Sequence, residues 1–253
     1  MIPRRRAHTY PGEWNDLRNG LRGGTGHDEG IVEAWQRSVA DFVGMPHAAA
    51  ISSGRRGMAA IFEYLHLGPG DEVVIPAYTL GDLIPLIKNF GAEVVPADID
   101  PETLNVTAAS VERRITPKTK AVMVLHAFGS PCPIAPITAL AARSGITVIE
   151  DCAHSLGATI AGHMTGSFGF ASFFSFEPTK PVNTFGGGMV ATRDSGLTDY
   201  IRSRTLADRD DLEPLKGKVK AIRMEQFMFA SGLALPPLYL LATPQTRAVM
   251  NRL

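Results

Sequence analysis

Three stretches of this 253-residue chain carry residue types whose grouping supports chemistry, and Lys180 is the most telling of them. It follows Phe174-Ser175-Phe176-Glu177-Pro178-Thr179 and precedes Gly186-Gly187-Gly188. A lysine between an apolar run and a triglycine loop is badly placed for simple solvation. Desolvation disfavours the ammonium, and a neutral amine condenses with carbonyls. The glycines let backbone approach a ligand, and Ser175 is near enough in sequence to add a hydroxyl. Asp151 follows the apolar run Ile146-Thr147-Val148-Ile149 and Glu150. A carboxylate at the end of a core strand is costly unless a cation or a donor meets it. A protonated ring nitrogen is one such partner; capping the next segment is the plainer role. His154 follows three residues later and either reaches the same ligand or is structural. The third stretch, Ser53-Gly54-Arg55-Arg56-Gly57, opens a helix. Free N–H groups and the positive end of a helix dipole bind phosphate there, with Ser53 as the cap, although an ordinary capped turn looks the same in sequence. In chain order these supply a phosphate turn, an acid for a ring nitrogen and an amine for an aldehyde.

Such groups need a frame, and the chain alternates short β-branched runs with longer amphipathic ones. The pattern predicts strands at 48–52, 72–75, 93–96, 121–125, 147–149, 171–174 and 189–191, and helices at 56–67, 80–90, 108–114, 134–144 and 196–204. The unbroken apolar run Ala121-Val122-Met123-Val124-Leu125 suits a strand buried on both faces. Strand–helix alternation implies an α/β fold with a mostly parallel sheet covered by helices on both faces. In such sheets chemistry gathers at the carboxyl ends of the strands, where Arg55, Asp151 and Lys180 all fall. From Asp208 the alternation is lost.

Composition narrows the classes. The 45% apolar and 20% charged residues are ordinary for a globular protein, and zero formal net charge gives no field favouring nucleic acid. Arg4-Arg5-Arg6 reads as a solvated tail. Two cysteines, Cys132 and Cys152, make neither a disulfide framework nor a zinc pattern, so no metal is expected and a reducing cytoplasm is the simplest compartment. The start of the chain has no secretory apolar core. The apolar stretch 227–242 is short for a membrane span, and Pro236-Pro237 interrupts it.

Five motifs in one order resemble the DegT/StrS family of sugar aminotransferases: Ser52-Ser53-Gly54; Leu67-Gly68-Pro69-Gly70-Asp71-Glu72-Val73; Asp98-Ile99-Asp100-Pro101-Glu102-Thr103-Leu104-Asn105; Val148-Ile149-Glu150-Asp151-Cys152-Ala153-His154; and the segment ending at Lys180. The resemblance runs from about residue 30 to 204. It implies the large domain of a fold-type-I transferase that uses pyridoxal 5'-phosphate (PLP). By that resemblance Lys180 is the Schiff-base lysine and Asp151 the partner of the pyridine nitrogen. His154 lies beside the ring hydroxyl, Ser175 is a phosphate ligand, and Gly54, Arg55 and Arg56 offer backbone N–H groups to the phosphate. The implied domains are an arm (1–29), the PLP-binding domain (30–207) and the start of a small C-terminal domain (208–253), expected to be cut short. The implied reaction moves an amino group, with glutamate as the expected donor, to a nucleotide-linked keto sugar in a homodimer.

The chain departs from the family in three places. Leu80 stands where the family places a ring-stacking aromatic, with Tyr78 two residues earlier. Ala221 stands where an Asn precedes an Arg-Met pair, here Arg223-Met224. His126 and Gly129 form a His-x-x-Gly stretch with no role beyond structure assigned by sequence. Two other readings stay open: an impaired PLP-fold protein acting as a partner or regulatory subunit, and a fold-type-I enzyme acting on amino acids. A dinucleotide site is disfavoured because no G-x-G-x-x-G follows the first strand.

Overall fold

The computed structural model describes residues 11–23, 29–205 and 213–230. Seven strands form one sheet: β1 (His47–Ile51), β2 (Glu72–Pro76), β3 (Glu93–Ala97), β4 (Thr119–Leu125), β5 (Thr147–Asp151), β8 (Ala171–Ser175) and β9 (Gly188–Thr192). Their spatial order is β1-β9-β8-β5-β4-β2-β3, and β9 alone runs against the others. The mostly parallel sheet with helices on both faces, expected from sequence, is what is found. A two-stranded hairpin, β6 (Thr159–Ile160) and β7 (His163–Met164), lies outside it and has no counterpart in the sequence reading.

Strand alternation decides which side chains face which layer. On one face, α3 (Gly54–Tyr64) and α4 (Leu83–Lys88) bury Met58, Ile61, Phe62, Leu83 and Ile87 against Val73, Ile75, Met123, Ile149 and Phe173. On the other, α5 (Ala108–Glu112) and α6 (Ile134–Ser144) bury Val111, Ile134, Ile137 and Leu140 against Val74, Val122, Val124 and Val148. Because Ile149 faces α3, Asp151 faces it too, and Glu150 shares the opposite face with Val148. Each fully buried aliphatic side chain stabilises by about 1.5–3 kcal/mol, so this alternation locks the register that places Asp151.

Local chemistry explains the helix ends. Ser53 has extended backbone, and its Oγ accepts the Arg56 N–H at 3.2 Å, so α3 starts at Gly54. α5 begins with a reciprocal box between Thr107 and Ser110. α6 ends at Gly145 with φ 67°, a left-handed cap. The helix predicted at 80–90 shrinks to α4, because Pro85 is tolerated only in the first turn, where its missing N–H breaks no intrahelical bond.

Two helices near the start of the chain went unpredicted. α1 (Glu13–Gly23) lies within the stretch read as an arm, and α2 (Glu29–Val43) buries Val39, Ala40 and Val43 with Phe174 and Met189. α7 (Ser195–Thr205) matches expectation. The chain divides into two compact units, 1–209 and 210–253. The second is described over α8 (Glu213–Ala230), which contains Ala221, Arg223 and Met224. Arg4-Arg5-Arg6 and most of the 227–242 stretch lie outside the described residues. No described helix is long and apolar enough to cross a membrane.

Candidate active site

The chemically suggestive residues meet where β5 and β8 end and α3 begins. Gly54, first in α3, packs so closely that an added Cβ would lie 3.2 Å from the Phe174 carbonyl oxygen and 3.3 Å from Ser175 Cβ. Across the sheet Ser175 pairs with Gly188, and a Cβ on Gly188 would fall 2.7 Å from Gly54 N, Phe174 O and Ser53 C. Only glycine allows this approach, so the start of α3 and the Ser175 hydroxyl border one small space. The first-turn N–H groups of a helix have no intrahelical partner, and this cradle therefore suits an anion.

The side chain of Arg55 points elsewhere: Nη1 pairs with Asp82 Oδ2 at 2.8 Å, with both side chains exposed. The Arg55 side chain is therefore turned from the cradle, and the Arg56 N–H is already taken by Ser53 Oγ.

Lys180 sits in a loop pinched at its base. Phe176 O accepts the N–H groups of Thr184 and Gly186, and Phe176 N–H donates to Gly187 O. Within the loop Lys180 N–H donates to Glu177 O at 2.9 Å. The Phe185 ring anchors the far side against Trp14 of α1 at 5.3 Å. Burial lowers the Lys180 pKa, against the opposing pull of Asp151 and Glu177.

Asp151 is 5% exposed, and burial pushes its pKa up to about 6 despite an Ala153 N–H on Oδ1 and the nearby Lys180 charge. The amine and the carboxyl therefore lie in each other's field. His154 opens to solvent on one side, and partial desolvation followed by Lys180 lowers its pKa. Asp151, His154 and Lys180 are thus one electrostatic group, while Gly54 and Ser175 form the adjoining cradle.

An aromatic ladder borders this group and was not read from sequence. His154 stacks on Phe128 (6.1 Å between centroids, 6° between planes), and Phe128 meets Tyr78 at 6.0 Å. Phe128 is 68% exposed and held at φ 51°, ψ 25°, a left-handed conformation costly for a bulky residue. Leu80 is exposed as well.

A family model for the DegT/DnrJ/EryC1/StrS aminotransferases matches residues 12–227. GDP-perosamine synthase of Caulobacter vibrioides is 39% identical over 172 residues, covering 68% of this chain and 46% of that protein. UDP-N-acetyl-3-dehydro-alpha-D-glucosamine 3-aminotransferase of Acidithiobacillus ferrooxidans is 39% identical over 170 residues, covering 67% and 46%. Among solved structures, the aminotransferase from Psychrobacter cryohalolentis superposes with a TM-score of 0.74 at 31% identity, covering 78% of this chain and 50% of that one. The chain spans about half the length of the curated relatives it matches. On the strength of the fold, the clustered site and the matched residues, the chain belongs to the DegT/DnrJ/EryC1/StrS aminotransferase family.

Proposed function

We propose that this chain binds PLP and serves a transamination that moves an amino group from a donor such as glutamate to a nucleotide-linked keto sugar. The observation that carries this reading is the pairing of a buried carboxyl, pushed up to about 6, with a lysine whose pKa is lowered, beside a glycine-lined helix start. The three parts fit the three ends of PLP: cationic ring nitrogen, aldehyde and phosphate. Bound there, the cofactor supplies an electron sink for carbon acids.

The chain's own residues do the rest. Gly54, Arg55 and Ser175 hold the phosphate with backbone N–H groups and a hydroxyl. Asp151 keeps the proton on the ring nitrogen, since a buried carboxylate facing a cation replaces an unpaired one. Lys180 Nζ, whose pKa burial lowers, would take the proton from the donor's α-carbon and later return one to the sugar carbon that bore the ketone. His154 would lie beside the ring hydroxyl, and the Phe128 and Tyr78 rings, next to it, would wall the side that Leu80 leaves without an aromatic. The names of the relatives support a nucleotide-sugar substrate. A homodimer is the assembly we expect, because Tyr78, Leu80, Ile84 and Phe128 leave apolar surface at this end of the sheet.

Incubation of the purified chain with PLP tests the reading: a visible absorbance band that bleaches on adding glutamate is expected. Absence of any band in the wild type overturns it. The exposed Leu80 favours one second reading, a PLP-binding partner without turnover. A band that glutamate never bleaches selects that one.

A further inference from the structure

Glu150 and His126 are both 0% exposed, and neither has a place in the chemistry above. Glu150 precedes Asp151 but projects to the opposite face of the sheet. Its carboxylate is fully engaged. Oε2 accepts the Gly166 N–H at 2.8 Å and lies 3.0 Å from His126 Nε2; Oε1 accepts the N–H groups of Phe168 (2.9 Å) and Gly169 (2.8 Å). A buried carboxylate is tolerated when every lone pair finds a donor, and this one does.

The histidine's tautomer follows from its neighbours. His126 Nδ1 accepts the Cys132 N–H at 3.0 Å, and a nitrogen that accepts carries no proton. The ring proton is therefore on Nε2, where it donates to Glu150. Cys152 lies close by, its ligand atom and those of His126 and Glu150 within 4.8 Å of one another. A metal there would have to displace the donors already on Glu150 and the Nε2 proton, and burial followed by the Glu150 charge pushes the Cys152 thiol well up. The donor set is that of a hydrogen-bonded brace.

The brace ties down the backbone at Asp151. His126 N–H donates to the Asp151 carbonyl at 3.3 Å, and Cys152 N–H donates to Phe173 O at 3.0 Å. On its outer side Ala127 N–H donates to Asn105 Oδ1, whose Nδ2 donates to Ser130 O. The carboxyl ends of β4 and β5 and the 166–169 turn are thus tied into one piece.

We propose that the His126–Glu150 pair is the positioning device for Asp151: the Nε2–H to carboxylate hydrogen bond holds the end of β5 so that the Asp151 carboxyl meets the cofactor's ring nitrogen. This rests on the PLP reading above. It gives the His-x-x-Gly stretch and the acid before Asp151 a single role.

Two substitutions divide the histidine's functions. His126→Asn keeps an acceptor for Cys132 N–H and loses the donor to Glu150. His126→Gln keeps a donor near Nε2 and loses the acceptor. PLP affinity and the position of the bound cofactor's absorbance band are measured with the thermal midpoint of each cofactor-free variant. By analogy with partners that orient a metal ligand, H126N weakens PLP binding roughly 10-fold or more and shifts the band. H126Q, which keeps the donor that orients Glu150, restores the affinity to within about 3-fold of wild type and the band to its wild-type position.

Equal losses in the two variants, tracking their thermal midpoints, reduce the pair to a packing element and overturn the proposal; so does a wild-type-like H126N. Nitrogen-15 spectra of the wild type give a check that needs no variant to fold. A protonated Nε2 with bare Nδ1 is expected, and the other tautomer or a doubly protonated ring overturns the brace. If the wild type binds no PLP, the cofactor reading itself fails, a result distinct from any difference between variants.

Discussion

Asp151→Asn should stabilise the cofactor-free protein while weakening its hold on PLP. Burial raises the Asp151 pKa from the ordinary 3.8 to about 6. Two units at 1.36 kcal/mol each make about 3 kcal/mol. A raised folded-state pKa means that the native chain binds this proton more tightly than the unfolded chain. The group's stabilising contribution is therefore complete below about pH 4 and is lost as pH rises through about 6. Asparagine has the same shape and does not titrate. In urea unfolding of both proteins without PLP, the variant-minus-wild-type stability should rise by about 2.4 kcal/mol from pH 4 to pH 7, most of it before pH 6. Taking the difference cancels the titrating groups that do not feel Asp151. PLP at pH 7 should narrow the gap, since ligand at 100 times its Kd adds about 2.7 kcal/mol to the protein that binds it and less to the weaker-binding variant. A difference that stays flat with pH, or falls, refutes the claim that Asp151 is a desolvated carboxyl awaiting a cation.

Other perturbations test the frame. Gly188→Ala forces a methyl to 2.7 Å from three backbone atoms, so a loss of about 1–3 kcal/mol in urea unfolding and weaker PLP binding are expected. Ser53→Ala removes the α3 cap and should lower stability by about 1 kcal/mol. Arg55→Ala breaks an exposed ion pair; it should change stability by less than about 1 kcal/mol and leave PLP affinity in a fluorescence titration unchanged. Phe128→Gly relieves left-handed strain and should raise the unfolding free energy in urea by about 1 kcal/mol while raising the KM for the proposed keto-sugar substrate.

What was legible in sequence was what local pattern encodes. Unbroken apolar runs marked the sheet core, and the placement of Lys180, Asp151 and the Ser53-Gly54 turn at strand ends followed from the α/β alternation. What was missed depends on distant partners. α2 is buried only because Phe174 and Met189 come to meet Val39 and Val43, and the short β6–β7 hairpin has too few residues to show a period. Glu150 looked like one more polar residue beside Asp151. Its burial makes sense only once the 166–169 turn and His126, distant in sequence, deliver its donors. Sequence assigned the Arg55 backbone a place at the phosphate turn and its side chain none; Asp82, brought close by the start of α4, is what the side chain meets. Phe128 carried a faint signal, an aromatic just before the glycine of His-x-x-Gly, but its left-handed backbone and its stack on His154 are tertiary facts.

Peptide mapping after borohydride reduction of the chain incubated with PLP bears most directly on the central claim. A phosphopyridoxyl mass on the peptide containing Lys180, abolished by Lys180→Ala and reduced in Asp151→Asn, is the predicted result. Label spread over surface lysines, or retained in full when Lys180 is gone, contradicts it.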